Sequence, residues 1–227
     1  MIGPRPAGGP TTLPAYLTSI GKASFYGIFK PGVNCFANSD GSGGAVATGG
    51  AVGCWVAEQA VNWTAKWIQA TAASRPLYST TLSPLGPTIS GNGTSWTMSL
   101  DSATALNQDC TILMSVETLN MAGYVFTQNG DAWSLYTNVG ADPDHYYGTV
   151  DLGKGAPQAR RSDGTSTAWQ RLRRFAVSSG TATTRYGNAM RILGTAGGYF
   201  ATHRIAQIAI VPKLTSAECL LATQYLV

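Results

Sequence analysis

The sequence predicts an all-β fold: two antiparallel sheets in a jelly-roll sandwich, with one short C-terminal helix and an extended N-terminal arm. Three observations predict it. Charged residues make up only 11% of the 227, against about 25% in ordinary globular chains, while glycine reaches 27 and tyrosine 10. That mixture suits short strands and many turns, and it lacks the Glu and Lys of long surface helices. Short strand-like runs then recur roughly every 10–15 residues, with Gly, Asn or Asp in the gaps, which is the spacing of a sandwich. Finally, a parallel α/β sheet needs amphipathic helices between its strands, and no such pattern separates these runs. With 44% apolar residues the chain can fill one large core.

Residues 1–14 (MIGPRPAGGPTTLP) hold four prolines and three glycines, so they read as an extended arm rather than helix or central strand. Residues 15–33 are a lead-in, and the jelly roll is expected over 34–227. A tract at 41–53 (GSGGAVATGGAVG) reads as loop. Strands are expected at 94–100, behind a Gly-Asn-Gly turn, and at 110–117, 123–127, 133–139, 146–152, 173–178, 190–193 and 204–211. Pro212 ends the last of these, since it has no N–H for a ladder. A helix follows over 215–226. Thr215 and Glu218 form a T-x-x-E capping box, Leu214 and Cys219 a hydrophobic staple, and Leu221 and Tyr225 share a face at i, i+4. It is expected to pack against the sandwich edge.

Cys35, Cys54, Cys110 and Cys219 include no C-x-x-C pair, so they fit neither a local zinc site nor a disulfide scaffold and read as buried small hydrophobes. Prolines at 4, 6 and 10 interrupt any apolar leader, and no run approaches the roughly 18 apolar residues of a membrane span. Synthesis in a cytoplasm without membrane insertion is the expectation. The net charge of +4 is too mild to call for nucleic acid.

Two stretches together carry a resemblance. Residues 34–79 contain Gly53-Cys54-Trp55 and the run Gln69-Ala70-Thr71-Ala72-Ala73-Ser74-Arg75-Pro76. Residues 205–226 contain a hydrophobic strand, a loop, Leu214–Glu218 and a final Tyr225-Leu226. With Ile89-Ser90-Gly91-Asn92-Gly93-Thr94 between them, they resemble concanavalin A-like, laminin-G-like jelly-roll modules of bacteriophage structural proteins. The departures are a 58–62 segment in place of the usual Asp-Lys-Ser-Gly turn, and Ile89-Ser90 in place of Phe-Asp. The resemblance implies a two-sheet jelly roll with a non-catalytic adhesive or structural role, and no particular sugar.

Glycanases on such a scaffold need paired carboxylates in an E-x-D-x-x-E strand. Glu58, Glu117 and Glu218 are the only glutamates here; none has that spacing, and Glu218 is used by the helix cap. No Gly-x-Ser-x-Gly elbow occurs, and Gly91–Thr94 lacks the lysine and helix of a phosphate loop. Asp142-Pro143-Asp144-His145 offers oxygen and imidazole ligands but is also strong turn chemistry, so no metal or cofactor is expected. His203 reads as a surface residue or a satisfied hydrogen bonder.

Two groups are candidate contacts. Arg160, Arg161, Arg171, Arg173 and Arg174 crowd a short stretch that either meets an acidic or phosphorylated partner or forms a solvated hairpin covering apolar surface with its stems. Trp55 and Trp96 lie in strand-like runs and read as core. Trp63, Trp67 and Trp169 stand among polar residues and could stack on sugar rings or anchor a protein interface. Arg5 lies on the arm, which spans at most about 50 Å when extended, far enough to reach a neighbouring subunit.

The leading expectation is therefore a non-enzymatic virion protein, a capsid decoration (cement) protein bound to the major capsid protein or another virion protein, most naturally as a homo-oligomer such as a trimer. The alternative is a tail-associated, receptor-binding lectin that recognises host glycan. A hydrolase built on Glu58 or Glu117 stands third.

Overall fold

The computed structural model describes residues 8–64, 66–101, 110–117, 123–128, 133–137, 146–147, 158–161, 172–178, 190–194, 198 and 200–226. Two eight-stranded sheets face one another. The first runs in the order β13 (Gln158–Arg161), β14 (Leu172–Ser178), β9 (Cys110–Glu117), β16 (Arg204–Pro212), β1 (Tyr26–Phe29) and β4 (Gln59–Val61). At its start β16 also pairs with β7 (Thr88–Ser90), which carries β6 (Leu77–Ser79). The second sheet runs β12 (Tyr146–Tyr147), β11 (Trp133–Thr137), β10 (Gly123–Gln128), β15 (Met190–Ile192), β8 (Met98–Asp101), β5 (Lys66–Ile68), β3 (Cys54–Val56) and β2 (Cys35–Phe36). Every pairing is antiparallel. The all-β sandwich read from the turn spacing is the observed architecture.

The side-chain period of two explains how each strand feeds the core. From β9, Ile112, Met114 and Val116 enter the space between the sheets, joined by Ile205, Ile208 and Ile210 of β16 and by Trp55, Trp67, Met98 and Leu100 of the second sheet. The intervening residues of the first sheet, Ile28, Leu113, Ala209 and Val211, form a separate apolar cluster on its outer face. Two helices cover that cluster: α1 (Leu13–Ser19) and α2 (Ser216–Ala222). Burial on both faces is why β9 and β16 read as nearly continuous apolar runs instead of alternating.

The helix α1 corrects the N-terminal expectation. Leu13 and Pro14 were assigned to an extended arm, yet they open a helix whose N-cap is Thr12, its Oγ1 accepting from Ala15 N at 3.3 Å. Proline is harmless in a first turn, where its missing N–H would have no intrahelical acceptor. The 15–33 stretch is more than a lead-in, because β1 sits between β16 and β4 in the sheet. Residues 1–7, Arg5 among them, lie outside the described residues.

At the other end the capping box forms as read. Thr215 Oγ1 accepts from Glu218 N at 3.3 Å, and Glu218 Oε2 accepts from Thr215 N at 2.6 Å. The buried face of α2 differs from the expectation: Cys219 and Ala222 point into the cluster, while Leu221 is 41% exposed. The reason is docking position. The helix lies over the sheet's outer face rather than at its edge, with Tyr225 stacked on Tyr16 at 5.2 Å and Tyr16 Oη donating to Glu218 O at 3.3 Å. All four cysteines are buried and none is in a disulfide. Among the described residues no helix is long and apolar enough to cross a membrane.

Candidate functional site

The tryptophans decide the first candidate site. Trp63 and Trp67, expected at the surface because of their polar neighbours, are 5% and 0% exposed. They join Trp55 in a cage around Phe29, with ring centroids 5.6 Å (Trp55), 6.0 Å (Trp67) and 6.3 Å (Trp63) from it in edge-on geometry. The correction has a simple cause. Lys66 and Ile68 flank Trp67 on a strand whose alternate residues face outward, so polar neighbours coexist with a buried indole. Trp63 closes over Gly27 from the end of β4, where Asn62 adopts a φ of 51°. The three indole N–H groups have no hydrogen-bond partner, so the rings act as hydrophobic mass rather than polar handles. Trp96, expected in the core on a strand, is half-buried and precedes β8.

The arginines are spread along the first sheet. Arg160 and Arg161 lie on the edge strand β13, opposite Ala176 and Phe175, and Arg173 and Arg174 on β14, opposite Val116 and Ser115. Adjacent strand positions belong to opposite faces, so these four positions do not line up as one row. Arg171, Trp169 and the 142–145 segment lie outside the described residues.

Several of the described ionisable groups have structural tasks, whereas Glu58, the other hydrolase candidate, stands exposed before β4. Glu117, 4% exposed, pairs with Arg204 at 3.0 Å, and the same guanidinium nitrogen donates to Leu82 O at 2.6 Å. Lys66 faces Asp101 at 3.8 Å on the outer side of the second sheet. Asp40 is held below the usual carboxylate range by the backbone N–H and hydroxyl of Ser42. His203, read from sequence as a surface residue or a satisfied hydrogen bonder, is fully buried next to Arg204 in the chain, and burial lowers it from 6.5 to about 4. Burial pushes the Cys35 thiol up to about 12 and also raises Cys54. No group of three or more metal-ligating side chains occurs among the described residues.

The run from Gln69 to Pro76 is a joint. Arg75 Nε and Nη2 donate to the carbonyls of Gln69 and Ala70 at 3.1 and 3.2 Å. Gln69 Nε2 donates to Thr97 O at 2.9 Å, and Thr97 N returns to Ser74 O at 3.1 Å. Glycines complete such joints by close approach. A Cβ on Gly53 would sit 2.3 Å from Ala37 O, and one on Gly91 1.9 Å from Ala201 O.

One surface was missed in the sequence. The 45–52 segment is a seam between the sheets: Ala45 bridges to Phe36 of β2, and Ala51 bridges to Leu77 of β6. Gly49 N and Val52 N donate to Tyr78 O and Pro76 O, both at 2.8 Å. Thr48 and Thr80 hydroxyls meet at 2.8 Å. Beyond Thr80, Ser79 Oγ accepts from Thr81 N and Leu82 N at 3.2 Å, and Arg204 grips Leu82 O, so the loop is fixed with the Leu82 side chain 54% exposed. No charged residue lies between Asp40 and Glu58, and none between Arg75 and Asp101. That gap was the available signal.

No protein-family model matches the chain, and no curated protein matches it. Solved structures that resemble it include Trypanosoma rangeli sialidase in complex with the inhibitor DANA, at TM-score 0.40 and 15% identity over 81% of this chain and 34% of that one. The same sialidase in complex with sialic acid gives TM-score 0.42 and 12% identity over 90% and 33%. The chain thus spans about a third of those proteins, and values of this size assign neither family nor activity.

Proposed function

We propose that this chain is a non-catalytic structural protein of a bacteriophage particle, a decoration (cement) protein that attaches to the shell through protein–protein contacts. The observation that carries the proposal is the employment of most of the side chains that other functions would need, with Glu58 the one glutamate left exposed and without a second carboxylate in E-x-D-x-x-E spacing. Glu218 closes a helix cap, Glu117 is buried against Arg204, and Trp63 and Trp67 fill the core. A hydrolase needs a carboxylate facing substrate, and a lectin needs exposed aromatic faces around a groove. Low overall charge leaves a surface that loses little on desolvation against another protein. The particle itself comes from the resemblance of the 34–79 and 205–226 stretches to phage jelly-roll modules. An oligomer, with a trimer favoured, would match a symmetric shell.

The test is the copy number of this protein in purified particles, by quantitative mass spectrometry against the major capsid protein. A ratio of one per capsid subunit, or one per few, is the expected result. A handful of copies per particle would point to the tail, and none would overturn the proposal.

A further inference from the structure

We propose that the charge-free seam is the docking face, and that its partner is an uncharged, apolar surface of the capsid shell protein with a recess for Leu82. This rests on the decoration role proposed above and names the surface and the chemistry that would perform it.

The surface joins two stretches of chain. Residues 47–51 run beside 77–80, tied by the Ala51–Leu77 bridge, the Gly49–Tyr78 bond and the Thr48–Thr80 hydroxyl pair. Its exposed side chains are Ala45, Ala47, Ala51, Leu82 and Pro84, with the hydroxyls of Thr48, Thr80 and Thr81 among them. At 11% charge overall, the two gaps that contain these stretches, residues 41–57 and 76–100, would carry about five charged residues; they carry none. Such depletion marks the centre of protein interfaces, where an unpaired charge would be stripped of water.

The two stretches carry no Lys or Arg, and the neighbouring Arg204 is already engaged by Glu117 and Leu82 O. This disfavours nucleic acid, anionic lipid and acidic polymers as partners, since those are held by free Lys and Arg. A charged protein patch is also disfavoured, because it would be desolvated with nothing to meet it. Leu82 is the one large apolar side chain that the patch presents, and its exposure is enforced. Its carbonyl is held by Arg204, which is itself held by buried Glu117, and its amide is held by Ser79. Little ordering entropy remains to be lost on binding.

The experiment uses the full chain and assembled shells purified without it, with the bound fraction read by co-sedimentation. Leu82→Asp and Leu82→Lys are compared with Leu221→Asp, which places a charge on the exposed side of α2 away from the seam. Melting curves first confirm folding, and Ala47→Glu tests the facing loop independently. Both Leu82 variants and Ala47→Glu should bind about a hundredfold more weakly. Leu221→Asp should bind as wild type. Wild-type binding should change by less than about twofold between 0.1 and 1 M NaCl, where the screening length falls from about 10 to 3 Å. If one sign of charge at position 82 binds as well as leucine or better, the partner is charged and the proposal is overturned. If all variants bind like wild type, attachment lies elsewhere and the seam is refuted while decoration stands. If wild type does not bind shells at all, decoration fails and the named partner with it. Sedimentation velocity of the free protein provides the last arm: loss of self-association with shell binding intact would give the seam to copies of this chain, against the proposal.

Discussion

Lowering the pH should draw a proton onto a histidine that the fold buries away from bulk water. His203 is fully buried, and burial depresses it to about 4 from 6.5. Between these values the unfolded chain binds the proton and the folded chain does not. Stability is therefore fully present above about pH 6.5 and is lost as pH falls toward 4. A gap of about 2.5 units corresponds to about 3 kcal/mol in total, of which about 2.5 kcal/mol is already lost at pH 4.5. For a domain of ordinary stability, about 5–15 kcal/mol, that is a large share. The assay is urea unfolding followed by tryptophan fluorescence at half-unit steps from pH 7.5 to 4.5, on wild type and His203→Gln. The glutamine variant need not match wild type at neutral pH, because only the slopes are compared. Wild type should lose close to one proton's worth of stability per pH unit, about 1.4 kcal/mol, through the middle of the window. His203→Gln should lose only what the carboxylates contribute. Equal slopes in the two proteins, or an imidazole titrating near 6.5 by NMR in the native state, would refute the reasoning.

Three further outcomes follow from the same geometry. Arg204→Met leaves the Glu117 carboxylate buried without its cation and should cost at least about 3 kcal/mol in chemical denaturation, whereas Glu117→Leu/Arg204→Met together should recover most of it; an equal cost for single and double variants would show that the pair is not coupled. Gly91→Ala forces a Cβ to within 1.9 Å of a backbone carbonyl and should prevent folding or lower the melting temperature by more than about 10 °C, while Gly86→Ala, with open space around it but a φ of 89°, should cost only about 1–2 kcal/mol. The four buried thiols should resist a thiol reagent in the native protein and react together on unfolding, and rapid native labelling of Cys35 would contradict its burial.

Much of the fold was legible because turn chemistry is local. The Gly-Asn-Gly turn works as read: Asn92 Oδ1 accepts from the backbone N–H groups of Thr94, Ser95 and Trp96 at 2.9–3.0 Å. The capping box at Thr215 and Glu218 is equally local. What failed depended on which side of a strand faced what. Lys66-Trp67-Ile68 has the same sequence whether its tryptophan faces solvent or Phe29, and only the opposing sheet decides. The helix α1 was hidden because Pro14 punctuates in both senses, ending helices within and opening them at a first turn. His203 borders an exposed-looking arginine, and nothing local reveals that the strand start is covered by the distant Gly91–Gly93 segment, which donates from Gly91 N to His203 O at 3.0 Å and from Gly93 N to Ala201 O at 3.2 Å.

The run from Gln69 to Pro76 carries the widest consequence. From sequence it is one of the stretches that carry the family resemblance. In the structure the Arg75 guanidinium is turned inward on the carbonyls of Gln69 and Ala70, and Gln69 is spent on Thr97. These bonds fix the chain between β5 and β6, which is where the seam on β6 takes its position. A run used in this way serves the fold and is silent on what is bound. On the docking proposed above, specificity would fall to residues that the joint positions, the uncharged ones from Ala45 to Ala51 and from Leu77 to Pro84. Grafting charge there should alter binding without altering the fold, while Arg75→Ala should loosen the fold and, through β6, disturb the seam. Opposite results, with Arg75→Ala folding as wild type by melting temperature yet losing the partner, would make the joint itself the contact.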